Sequence, residues 1–173
     1  MTTRELEYQA MRDTIRERGS MRIWVAVVGV IAWGALSVTI MAAAPWPLAT
    51  LVPLLVLAGA FEAVFALHTG VERVGRYLQV FHEPPDEGWE HTAMAFGRRF
   101  PGSGPDPLFG ALFASIAIFN FIPVIVFGAQ ISEYLGTAVV HALFILRLAI
   151  ARRSAAEQRA ADLDRFQQLK SRP

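Results

Sequence analysis

The sequence predicts an all-α integral membrane protein, a four-helix bundle with both termini cytoplasmic. Three observations carry that prediction. Four apolar stretches are each long enough to cross a hydrocarbon core. All sixteen Lys and Arg side chains fall on one side of these stretches or, in the case of Arg147, in the last turn of the fourth before that side. The two short connections on the other side hold none of them. Basic residues mark cytoplasmic flanks, so the bias orients the chain as well as identifying it.

A chain of 173 residues, 54% hydrophobic and with positive mean hydropathy, reads as one membrane domain over 1–173 and not as a soluble domain with an anchor. The formal net charge is +1, and most acids sit beside the bases. No strong field recruits nucleic acid. The absence of cysteine excludes disulfides, thiolate zinc sites, iron–sulfur clusters and thiol catalysis. Arg far outnumbers Lys and Ala is abundant, a bias that fits a GC-rich bacterial genome and hence a bacterial inner (plasma) membrane.

The tail at 1–22 carries Leu6, Ala10, Met11 and Ile15 at helical spacing and leads into the first span, about 23–44. That span is roughly 33 Å long at about 1.5 Å per residue. Ala42, Ala43 and Ala44 imitate a signal-peptidase site. The apolar run is too long for a signal peptide and Pro45 would follow the cut, so a retained helix is expected. Pro45-Trp46-Pro47 forms a tight outer turn, with Trp46 suited to the headgroup layer.

The second span, about 48–68, carries Glu62, and its pattern continues through Val71, Val74, Leu78 and Phe81 until Pro84 and Pro85 stop it. The inner loop, 69–107, is rich in proline and glycine. Within it Trp89, Ala93, Phe96 and Phe100 recur at helical spacing. This stripe predicts an interfacial helix on the inner leaflet, with Arg98 and Arg99 near anionic lipid. A packed loop closing the bundle's inner mouth is the alternative.

The third span, about 108–127, holds Asn120 and Pro123, and the fourth, about 131–150, ends inside at Arg147, Arg152 and Arg153. The tail at 151–173 carries a clearer stripe of Ala156, Ala160, Leu163, Phe166 and Leu169. Both tails are expected as solvated helical extensions, with docking onto a partner or onto each other as the alternative. In the dense polar run of Glu72, Arg73, Arg76, Tyr77, His82 and Glu83, intrahelical pairs such as Glu72–Arg76 are expected, and His82 and His91 are expected as solvated loop residues.

Ionisable groups within membrane helices are rare and face the bundle interior. Glu62 shares a helix face with Ala58, Gly59, Ala66 and Thr69, small enough for close packing. His141 lies at a similar depth, roughly 12 to 15 Å from the inner boundary at the helical rise, and is the expected partner. His141 shares its face with Glu133 and Thr137, so the intramembrane polar cluster is Glu62, Asn120, His141, Thr137 and Glu133, with Thr69 and Arg73 inside.

Three functions compete for the cluster. Interhelical hydrogen bonding in a non-enzymatic subunit, accessory or scaffold of a membrane complex is favoured. A proton, ion or small-solute transport element using Glu62 and His141 is the second. A redox subunit is the third: a metal ion or haem would use His68, Glu72 and His141, although the favoured reading needs no cofactor. Expected partners are the lipid bilayer and a membrane protein or a second copy. The chain has no Walker loop, nucleotide fingerprint, GxSxG or HExxH pattern.

Overall fold

The computed structural model describes residues 2–43, 46–84, 87–100, 102 and 106–172. The imitation cleavage site at Ala44, the turn residue Pro45 and the loop prolines Pro85, Pro101 and Pro105 lie outside these residues. Every regular element described is helical: α1 Thr3–Ala43, a 3₁₀ turn Pro47–Thr50, α2 Leu51–Phe81, α3 Trp89–Arg99, α4 Gly110–Val126 and α5 Ile131–Ser171.

Helices α1, α2 (with the turn that leads into it) and α5 are long and apolar enough to cross a membrane, and α4 is a shorter apolar helix of 17 residues. The chain is therefore a multi-pass helical protein by the length and composition of its helices. At about 1.5 Å per residue α4 spans roughly 25 Å, the short end of what a bilayer core requires. The first and fourth spans prolong without a break into the tails, and α2 ends at Phe81, just before the expected proline stop.

The chain forms two compact units. An apolar unit comprises Ile23–Phe65 and Leu108–Arg152, and a charged unit comprises Met1–Arg22, Ala66–Pro107 and Arg153–Pro173.

In the apolar unit Phe61 of α2 is fully buried, with its ring edge-on to Phe113 of α4 at 5.4 Å and to Phe144 of α5 at 6.2 Å. Leu54, Leu57, Val64, Ile116 and Leu148 extend this core. Helix α1 joins through small residues. A Cβ placed on Gly29 would lie 2.3 Å from Cβ of Ala60, so only glycine permits the approach of the two backbones. The rest of α1 is outward: Trp24, Val28, Ile31 and Val38 are exposed, a surface that hydrocarbon tolerates and water does not.

The charged unit is held differently. Arg73 donates to Asp162 at 2.9 Å, and Arg159 meets Glu72 at 2.6 Å, each joining α2 to α5. Tyr77 donates to Glu7 at 2.5 Å, and its ring packs edge-on against Phe166. The two tails therefore dock with α2 and are not the solvated extensions expected from charge spacing. Glu72 lies closer to Arg159 than to its intrahelical neighbour Arg76, which is 4.0 Å away. His82 is likewise not a solvated loop residue, because its ring sits between Tyr8 and Tyr77. His91 is half-buried beside Gln79.

Candidate functional site

The buried polar centre of the apolar unit is built on Asn120. Its neighbours fix its orientation, because Trp33 Nε1 can only donate and the Thr50 carbonyl can only accept. Trp33 Nε1 donates to Asn120 Oδ1 at 2.9 Å, and Asn120 Nδ2 donates to the Thr50 carbonyl at 2.9 Å. The second amide proton points at His141 Nε2, 3.0 Å away. That nitrogen is thereby the acceptor, so the proton of a neutral ring sits on Nδ1 and is donated to the Thr137 carbonyl at 2.8 Å.

Thr137, fully buried, donates its hydroxyl to the Glu133 carbonyl at 2.7 Å. One amide thus joins α1, the 3₁₀ turn, α4 and α5. Both amide protons, the amide oxygen and both ring nitrogens are engaged.

Chemically this is a clasp. A relay must accept a proton on one side and release it on the other, and an amide donor at Nε2 offers no onward step. Glu133 completes no conduit at the outer end either. Its carboxylate accepts from the Gln130 backbone N–H at 3.1 Å, the reach-back half of a capping box, and from Trp46 Nε1 at 2.8 Å. Of the expected inner members, Thr69 bonds within its own helix and Arg73 is paired with Asp162.

Glu62 is placed apart from this centre. Its carboxylate accepts from Arg147 Nη2 at 2.8 Å, so the partner is Arg147 and not His141. Arg147 also lies over the Phe65 ring at 4.8 Å and the Phe61 ring at 5.9 Å. The pair remains half-exposed, with 49% of the Glu62 side chain and 34% of the Arg147 side chain accessible.

His68 and Glu72 meet arginines. Arg22 Nη1 lies 3.1 Å from His68 Nδ1, which must therefore accept, and Glu72 faces Arg159 and Arg76. Among the described residues no group of three His, Asp or Glu side chains is placed to hold a metal ion. His68 and His141 belong to different units.

The aromatic stripe of the inner loop forms α3 as its spacing requires. Its packing is polar. Glu90 is buried and accepts from Arg12 at 2.7 Å and from Arg76 at 3.2 Å, which fastens the helix to α1 and α2. Burial holds the Arg76 guanidinium below its ordinary range, against the pull of Glu72 and Glu90. Glu83 caps the helix, its carboxylate receiving the backbone N–H of Glu90 at 3.1 Å. Gly88 turns the chain at φ 94°, and a Cβ there would lie 2.6 Å from the Glu83 carboxyl carbon. Trp89, Phe96, Arg98, Arg99 and Phe100 are left outward, the first at 68% exposure.

No family model, curated protein or solved structure matches this chain.

The sequence reading missed Trp33, Thr50 and Arg147. Trp33 carried a signal, since an indole N–H inside a span needs an acceptor. Arg147 was assigned to the inner flank, although it precedes Ile150 within the apolar run.

Proposed function

We propose that this protein is a non-enzymatic subunit, accessory or scaffold of a membrane complex in a bacterial inner membrane. In this reading both termini and the α2–α4 connection are cytoplasmic, as the one-sided basic residues require. The observation that carries it is the Asn120 clasp, whose amide atoms are all committed to joining one element to another. Such bonds specify which helix faces meet. The separation of Glu62 from His141 weighs against a proton path through them.

The exposed aromatic stripe of α3, with Arg98 and Arg99 beside it, supports contact with the anionic inner leaflet. The test is purification in mild detergent from the native host. Co-purification of a membrane partner or recovery of a stable oligomer is expected. A monodisperse monomer without a companion would overturn the proposal.

A further inference from the structure

The Glu62–Arg147 pair stands about 16 Å along α2 from Leu51 and about 24 Å along α5 from Ile131 at the helical rise. Both positions fall inside the apolar stretches. An exposed ion pair is ordinary in water. Facing hydrocarbon it is expensive, because neither lipid tails nor water complete the hydrogen bonding. Arg147 does not relieve this by reaching for the interface, since Glu62 and the ring of Phe65 hold it in place.

The surrounding surface is suited to another helix. On α2 the exposed residues Val52, Leu55, Gly59 and Ala63 fall on one face with Glu62. Open space lies over Gly59, where a Cβ would meet nothing within 4 Å. The face on α5 continues through exposed Gly136, Val140 and Leu143. Small residues there let a facing backbone come close.

We infer that this α2–α5 face is a homodimer seam, covered in the bilayer by the same face of a second copy. The charges choose the occupant. One acid and one base on a single patch make it self-complementary, so a two-fold axis brings Glu62 of each chain to Arg147 of the other and closes the interface. The inference rests on the membrane reading proposed above.

Two differently tagged chains test it, one carrying Glu62→Arg and the other Arg147→Glu. The first presents two bases on the face and the second two acids, so each alone loses the dimer that the native chain forms. Co-expressed, they restore it as a heterodimer recovered through either tag. Failure to restore it, or a native chain that never dimerises, overturns the inference.

A second measurement leaves the charges untouched. Gly59→Cys adds a unique thiol to a chain without cysteine. Oxidation in native membranes should yield a disulfide-linked species of twice 19.1 kDa. Capture of a different protein would overturn the seam while keeping the subunit reading. No cross-linked species and no companion on purification would overturn both. A dimer with no other component would support the seam and is the stable oligomer that the subunit reading expects.

Discussion

Three of the helices run through both units, yet the chemistry that holds them changes between the two. In the apolar unit the contacts are Phe61 between Phe113 and Phe144, Gly29 against Ala60, and one amide clasp. In the charged unit the same helices, joined there by α3, meet through Arg73–Asp162, Arg159–Glu72 and the Arg12–Glu90–Arg76 bridge. Hydrocarbon supplies no hydrophobic force between apolar helices, so close packing and a few satisfied polar bonds must specify their arrangement. Where water surrounds the chain, ion pairs can be placed at the rim of a packed centre, and a buried pair is secured by several partners at once.

The sharpest way to break the comparison is to remove the buried carboxylate of the charged unit. Glu90→Ala leaves the guanidinium of Arg76, which is 4% exposed, with only Gln79 and the more distant Glu72, and should destabilise α3 docking by about 3 kcal/mol. Limited chymotrypsin digestion at Trp89 and Phe96 should accelerate, with the apolar unit unaffected. Next is Asn120→Ala, which deletes bonds to Trp33, Thr50 and His141 and should lose about 2 kcal/mol, at roughly 0.6 each. Reversible unfolding in mixed detergent micelles measures it, and α3 protease resistance should hold.

Gly88→Ala is a smaller disturbance of the charged unit. The left-handed φ and the crowding against Glu83 should together cost about 1 to 2 kcal/mol, read as faster cleavage in α3. The smallest effect concerns Tyr77. The hydrogen bond to Glu7, with burial, holds its hydroxyl above the usual value of about 10. A raised value in the folded state means that the bond contributes at every pH below the unfolded value. Its contribution disappears as pH rises through the folded value. Alkaline titration followed by tyrosinate absorbance should lose its step above about pH 10 in Tyr77→Phe. Loss of a component that titrates at about 10, and not above it, would remove Tyr77–Glu7 from the ties of the charged unit.

The limits of sequence reading are clearest at Glu62 and Glu133. Both are acids out of place in apolar surroundings, and both were legible as such. Their partners were not. Glu62 was matched to His141 by depth along the helices, but depth leaves rotation about each helix axis undetermined, and rotation gave Glu62 to Arg147. Glu133 is expected in the intramembrane polar cluster, whereas the start of its own helix and Trp46 claim it. The periodicity of Trp89, Phe96 and Phe100 predicted α3 correctly. It did not reveal that Glu90, one residue from the stripe, anchors the helix.

The sequence by itself determined that the chain is helical, which stretches are apolar enough to cross a membrane and where α2 ends. Those properties follow from composition and from spacing along one axis, and each is local. Only the tertiary structure decided that Asn120 gathers Trp33, Thr50 and His141, that the tails dock with α2, and that Glu62 and Arg147 share an exposed face. Those pairings join residues far apart in the chain. They depend on the rotation and neighbour order of the helices, which side-chain packing sets and a one-dimensional pattern does not contain.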